Sequence, residues 1–249
     1  MNHEWIIPDW PAPGNVKSLF TTRIGGVSGS INKTYASFNV AMHVNDDCQD
    51  VERNRALLRR YLPAAPQWLK QVHGTHPVAV DAPHATIPEG DAAFSGRSGS
   101  VCVIMVADCL PVFLCDTSGT AVGVAHAGWR GLAGGVIERL IAAMEKKPDE
   151  LMAWLGPAIG PKYFEVGVDV HNAFVGQDAQ AEQAFIAIGN SGQQKWLADI
   201  FLLARQRLVK QGVTRIYGGD VCTFSDSERF FSYRRDGETG RMAALIWLE

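Results

Sequence analysis

Long apolar runs are missing from this chain: no stretch approaches the roughly 18 residues needed to cross a bilayer, so no membrane-spanning helix is expected. The first residues, MNHEWIIPDWPAPGNVKS, hold no basic segment followed by an apolar one, so no secretory signal is expected. An excess of positive charge is missing too. The 23 Lys and Arg are scattered and opposed by 26 Asp and Glu, for a net charge of −3. That balance argues against nucleic-acid partners and against a polybasic membrane anchor. Cysteine is scarce and unpaired in pattern: Cys48, Cys102, Cys109, Cys115 and Cys222 are odd in number and suit a reducing cytoplasm better than a disulfide framework. Internal repeats, low-complexity tracts and linkers are absent, so residues 1–249 are read as one domain. What is abundant is apolar material, 47% of the chain, enough for a full core without a metal or disulfide as staple.

Residues 35–45 read as strand or extended loop. Residues 46–62 read as a helix, capped by Asp46 or Asp47 and striped by Val51, Leu57, Leu58 and Tyr61. Residues 67–80 form a strand-like region broken by Gly74 and Pro77. The run SVCVIMVA at 100–107 is a buried strand, and residues 111–115 and 120–126 flank the turn Asp116-Thr117-Ser118-Gly119. Helices are expected over 132–147, with Val136, Ile137, Leu140 and Met144 inward, over 168–175, and over 196–210. Strands are expected at 151–155, 215–217, 230–234 and 242–248. Hairpins outnumber strict strand–helix alternation, which points to α+β with mixed sheets.

The central hairpin suggests chemistry. A turn centred between Thr117 and Ser118 opposes Cys115 to Thr120, Phe113 to Val122 and Cys109 to His126. Cβ atoms of opposed residues lie about 4.5–5.5 Å apart, a spacing that lets two side chains share one metal ion. Pro111 weakens that register, because it cannot donate to the ladder. A third donor comes from QVHGTH at 71–76, where His73 is chosen over His76 because Gly74 opposes a helix that would align both. Two imidazoles and a thiolate suit zinc or copper rather than magnesium or calcium, with an open position of the catalytic type. Metal-free readings remain: Cys109 as a nucleophile with His126 as its base, or a buried thiol beside a satisfied core histidine.

Around these lie further candidates. HAGWRG leads into a helix whose first amides, with Arg130, suit an anion. The turn TTRIGGVS carries Arg23, and FSYRRD carries Tyr233 beside two arginines and an aspartate that read as a solvated ion pair. Asp108 can orient a ligand or act as a base, and Asp91 is a second acidic candidate without a local signal.

TTRIGGVS (21–28), QVHG (71–74), ADCLPVF (107–113), HAGWRG (126–131), GPAIGP (156–161) and FSYRRD (231–236) together resemble the YfiH/laccase-domain family, also called multicopper polyphenol oxidase domain or peptidoglycan editing factor. The resemblance runs the length of the chain. It implies a layered α/β/β/α fold, shared with the deamidase domain of cytotoxic necrotizing factor toxins, and zinc ligands at His73, Cys109 and His126, none of them substituted. It further implies phosphorolysis of adenosine, inosine, guanosine and methylthioadenosine, adenosine deamination, copper-dependent polyphenol oxidation, or editing of peptidoglycan precursors.

The residues sort these activities. The chain has seven histidines and no His-x-His unit, so a multinuclear copper oxidase centre cannot be assembled, although one copper ion can compete for a zinc site. The His-x-Glu and Pro-Cys-x-x-Cys signature of zinc nucleoside deaminases is absent. The expectation is therefore a cytoplasmic purine nucleoside phosphorylase with adenosine deaminase activity. Arg23 and Arg130 would serve phosphate, Tyr233 the substrate, and Cys109, His126 and Asp108 catalysis. A precursor-editing hydrolase at the Cys109/His126 site is the alternative, and a metal-stabilised binding module is a third. A compact pocket favours the nucleoside, and a long groove the precursor. Nothing in the pattern fixes an oligomeric state.

Overall fold

The computed structural model describes residues 4–29, 33–82, 84–189 and 194–249. The strands, in chain order, are β1 (Val16–Phe20), β2 (Pro77–Ala79), β3 (Ala92–Ser95), β4 (Val101–Val106), β5 (Leu110–Asp116), β6 (Val122–Ala127), β7 (Leu151–Leu155), β8 (Glu165–Val166), β9 (Phe185–Ile188), β10 (Lys195–Ala198), β11 (Arg215–Gly218) and β12 (Met242–Leu248). The helices are α1 (Cys48–Arg59), α2 (Trp129–Gly134), α3 (Val136–Ala143), α4 (Val168–Val175), α5 (Ile200–Lys210) and α6 (Tyr233–Asp236). A six-stranded mixed sheet has the order β11-β7-β5-β6-β3-β2, and smaller sheets run β1-β12-β4 and β8-β10-β9.

Alternation along the strands builds the layers. Successive side chains on a strand point to opposite faces. Leu110, Val112 and Leu114 on β5 therefore join Val136, Ile137 and Leu140 of α3 and Leu203 and Leu208 of α5, while Phe113 and Cys115 face the other way. They meet Ile104, Ala244 and Ile246 of the β1-β12-β4 sheet in a dry layer between sheets. The far face of that small sheet, with Val103, Met105 and Leu245, packs on Leu58 of α1 and on Phe38. Helices, sheet, sheet, helix: the expected α/β/β/α layering is observed. It explains why β4, β5 and β12 read as unbroken apolar runs, since both faces of each strand are covered.

Four local expectations are corrected. The β5–β6 hairpin pairs Pro111 with His126 and Cys115 with Val122, two residues away from the expected register. The loop is longer because the buried Asp116 carboxylate organises it, accepting from Thr120 N (2.7 Å), Thr120 Oγ1 (2.6 Å) and Ala121 N (2.8 Å). A shift of two preserves the face each residue presents, so Cys109 and His126 stay on the same side. The helix expected over 132–147 is broken into α2 and α3 at Gly135, whose φ of 96° an L side chain rarely adopts. The helix expected from 196 starts after β10, where Asp199 caps Leu202 N at 2.9 Å. Residues 230–234 form no strand. Phe230 and Phe231 are buried within a loop that runs into α6.

Asp116 supplies a stability test. Burial alone pushes its carboxyl pKa up, but the bonds from Thr120 and Ala121 and the charge of Lys146 bring it below the ordinary value. A lowered folded pKa contributes stability that is present above the unfolded value, about 3.9, and lost as pH falls through the folded one. Asp116→Ala should cost about 1–3 kcal/mol in urea unfolding at neutral pH. Asp116→Asn should make stability less dependent on pH below about 4.

Candidate metal centre

Three chain crossings converge at one edge of the two sheets. The chain passes from β4 in the small sheet to β5 in the large one through Ala107-Asp108-Cys109, with Asp108 at φ 80°. Next to it, β6 carries His126 one residue before its end, and the His126 backbone N–H donates to Asp91 O at 2.7 Å as β3 begins. On β6, Val122 and Val124 line the layer between sheets, and His126 shares their face. Cys109, on the same alternation as Phe113 and Cys115, faces the same side. The segment 71–74 covers the edge, pinned by Gln71, whose amide donates to Met105 O (2.9 Å) and accepts from Met105 N (2.7 Å).

The ligand atoms of His73, Cys109 and His126 lie within 4.8 Å of one another. Cys109 Sγ is 3.9 Å from His73 Nε2, and the two imidazole rings meet edge to face at 4.8 Å between centroids. Donors 2.0–2.3 Å from one zinc ion sit at most about 4.6 Å apart, so small side-chain adjustments close the set on a single ion. Two imidazoles and a thiolate make a metal-type donor set. His76 stays outside it; its carbonyl accepts from Asp91 N at 3.0 Å.

Asp91 holds the set in place. Fully buried, it accepts from Val72 N (3.1 Å), His73 N (2.9 Å), Gly74 N (2.6 Å) and His126 Nδ1 (2.8 Å). The first three bonds stabilise His73 at φ 59°, a left-handed conformation costly for a residue with a Cβ. The fourth fixes the ring of His126 with Nε2 left for the cluster, the carboxylate–histidine arrangement that supports metal ligands. Burial pushes the Asp91 carboxyl up, but the bond and charge of His126 and the amides of Gly74 and Val72 outweigh it and keep the group ionised. Cys109 and His126 are coupled in the same way. Burial disfavours charge on either, yet their mutual attraction, with His73 helping the thiol and Asp91 the imidazole, lowers the thiol and raises the imidazole. The balance favours a thiolate, the form that binds metals and attacks carbon.

The other expected residues divide. Arg130 and Tyr233 reach the cluster: both border two adjoining hollows of about 370 and 250 Å³ that also share His73, Ala107 and Cys109. Arg130 rests over the Trp129 ring at 4.3 Å, and Tyr233 is 60% exposed. Arg23 lines neither hollow. Its guanidinium donates to Ala36 O (2.8 Å) and Ser227 O (3.0 Å) and stacks over Phe231 at 4.7 Å, a structural clamp where an anion ligand was expected. The Asp108 carboxylate accepts from Thr223 Oγ1 (2.6 Å), Ser232 Oγ (2.9 Å) and Arg234 N (2.7 Å), tying the Cys109 turn to the start of α6. Sequence reasoning passed over His43, Gln71 and Arg241 in the larger hollow and Ile159, Phe164 and Ile200 in the smaller. Gln71 lay in plain view within QVHG; the others carry no local signal.

Gly128 shows how tightly the cluster is built, because a Cβ there would lie 2.9 Å from Cys109 Sγ and 3.1 Å from His73 Cδ2. Gly128→Ala should leave the secondary structure intact and weaken the binding of an added metal ion, with zinc as the probe, at least about tenfold, as disturbed ligand support does. A chelator-competition titration beside a far-ultraviolet dichroism spectrum checks both.

Comparison with known proteins places the chain. Residues 17–249 match the family model described as multi-copper polyphenol oxidoreductase laccase. A Pseudomonas aeruginosa protein named purine nucleoside phosphorylase is 50% identical, the alignment covering 98% of each chain. Purine nucleoside phosphorylase YfiH of Escherichia coli is 49% identical, again over 98% of both. A crystal structure of a Neisseria meningitidis protein superposes with a TM-score of 0.93 at 48% identity, covering 98% of this chain and 99% of that one. The chain belongs to this multi-copper polyphenol oxidoreductase laccase family, the YfiH-like family of α/β/β/α proteins.

Proposed function

We propose that residues 1–249 act as one catalytic domain, a cytoplasmic metal-dependent purine nucleoside phosphorylase acting on adenosine, inosine, guanosine and methylthioadenosine. The observation that carries this reading is the shape beside the cluster. The space is compact and divided, its larger part about 370 Å³, within the roughly 300–1,000 Å³ of small-molecule sites. One part is walled by Trp129, Ile159, Phe164 and Ile200, which suits a planar purine. The other carries His43, Gln71 and Arg241. The names of the relatives agree with this choice.

In the reaction, a phosphate oxygen bonds to the ribose anomeric carbon as the bond from that carbon to the purine breaks. The bonding pair leaves with the purine, which takes up a proton at a ring nitrogen, giving free base and ribose 1-phosphate. Positive charge develops on the sugar, so residues that fix both reactants supply most of the help. Trp129 and Phe164 hold the base, and Arg130 and Tyr233, which border both hollows, sit at the junction where the ribose would lie. His73, Cys109 and His126 would hold the metal, zinc in preference to copper, which when bound supplies Lewis acidity to an oxygen or nitrogen of the substrate. Asp91 and Asp108 are positioning residues: one orients the ligands, the other fixes the turn that bears Cys109.

Adenosine deamination is a second reaction that the same site admits, with water adding at the amine-bearing purine carbon and ammonia leaving. Copper-dependent phenol oxidation would be confined to a single ion, since seven histidines without a His-x-His unit cannot build a multinuclear centre. The favoured Cys109 thiolate beside a protonated His126 is the one observation that supports a different reading, hydrolysis of a peptidoglycan precursor by a cysteine nucleophile.

The assay incubates adenosine with the zinc-loaded protein, with and without phosphate. Phosphate-dependent release of adenine is expected, falling at least about 100-fold in His73→Ala and Cys109→Ala, as removal of groups acting as a unit does, with metal lost from both. Phosphate-independent inosine would assign deamination instead. Neither product from a fully metallated protein would sink the nucleoside reading and promote the precursor hydrolase.

A further inference from the structure

The larger hollow is bordered by two arginines, Arg130 and Arg241, and by His43, and no carboxylate lines it. Arg241 stands immediately before β12, where Met242 pairs with Val106, so the strand register carries it alongside Ala107 and the Cys109 turn. Its backbone is fixed: Arg241 N donates to the buried Asn39 Oδ1 at 2.9 Å, and Val40 N donates to its carbonyl at 3.4 Å. One edge of the guanidinium is fixed as well, with Nη1 donating to Thr239 O (2.5 Å) and Gly240 O (3.0 Å). Nε and Nη2 make no hydrogen bond, and no carboxylate pairs with the group, among the described residues. The Tyr233 ring lies 5.9 Å from its guanidinium carbon. A second half-buried arginine, Arg55, stacks over Trp68 at 3.8 Å and donates to Val40 O at 2.8 Å, adding positive charge near His43.

A half-buried guanidinium that is attracted by Cys109 and Asp108 but paired with no carboxylate is poorly solvated, and the cost is relieved when a dianion enters. The rigid fork of arginine, held along one edge, presents its remaining N–H groups in the geometry that a tetrahedral oxyanion accepts. We propose that Arg241, with Arg130 and His43, forms the seat of the phosphate dianion that attacks the nucleoside. The seat rests on the phosphorylase reading for its role in the reaction. Its location has a chemical consequence. The base occupies the hollow walled by Trp129, Ile159, Phe164 and Ile200, and phosphate the one without a carboxylate, so the anomeric carbon falls between them, beside the residues the two hollows share. Phosphate then approaches that carbon from the side opposite the departing purine, as a displacement requires. Burial, with the neighbouring positive charges of Arg241 and Arg55, also lowers the His43 pKa, as expected of a site that holds positive charge in excess.

Binding of inorganic phosphate to the zinc-loaded protein, followed by calorimetry without nucleoside, reads the seat directly. Arg241→Met should weaken phosphate binding at least about tenfold, the loss expected of charge-assisted hydrogen bonds, and raise the KM for phosphate while that for inosine stays within about twofold. His43→Asp places a negative charge in the hollow without removing any hydrogen bond that Arg241 makes. It should weaken phosphate binding by a similar factor, so a folding defect at Arg241 cannot imitate the result. Phosphate bound equally by the wild type and both variants, or not bound by the wild type, would overturn the proposal. Inosine 5′-monophosphate serves as the second probe: its Arg241-dependent binding without any binding of free phosphate would overturn the assignment to free phosphate. Arg241-dependent phosphate binding in a protein that releases no base would uphold the seat and overturn the phosphorylase reading.

Discussion

A single buried carboxylate holds the site together. Asp91 receives three consecutive backbone amides from 72–74 and the ring of His126, so one group positions both histidines of the cluster. The three amides keep His73 in a backbone conformation that its side chain opposes, and the ring bond decides which imidazole nitrogen is free. An ionised carboxylate is the group that can accept four such bonds at once, since each oxygen offers two lone pairs. Its burial is tolerable because every one of those lone pairs is used.

The layered fold brings the necessary chain segments to that carboxylate. Two sheets packed face to face end at a common edge, where the chain crosses between them at Ala107–Cys109 and where β3 and β6 start and stop. Sheet interiors are dry, so their edge is where polar groups gain both a low-dielectric wall and access to solvent. Asp108 fixes the crossing from the other side by tying it to Thr223, Ser232 and Arg234. Two acidic residues thus frame the ligands, one holding the histidines and the other the turn that carries the cysteine. Space is as constrained as polarity, since Gly128 leaves no room for even a methyl group against Cys109 and His73.

Much of this was legible in the sequence, and the failures have physical causes. Strands covered on both faces announce themselves as apolar runs, so β4, β5, β7 and β12 were visible, and α4 was found at its observed bounds because its apolar spacing is helical throughout. The turn register failed because Asp116 bonds through its side chain to residues four and five positions on, lengthening the loop beyond what residue preferences suggest. The face of each residue survived that error, which is why Cys109 and His126 were still paired. β10 was hidden inside a helical-looking sequence whose boundary rests on the cap at Asp199. Arg23 sits in a glycine turn of the kind that often holds anions, and only the tertiary structure shows its Nε and Nη1 bonded to the carbonyls of Ala36 and Ser227, away from both hollows. Asp91 gave no local sign of its importance, because three of the four groups it binds lie seventeen to nineteen residues before it and the fourth thirty-five after.

Whether Asp91 organises the donor set is read from the affinity for added zinc of the Asp91→Asn variant, measured by chelator competition. The amide keeps the shape and removes the charge, and its nitrogen cannot accept from the amides of 72–74. An affinity reduced by about 10–100-fold with the fold retained, as for other groups that support metal ligands, is the expected result. Wild-type affinity in a folded Asp91→Asn protein would contradict it.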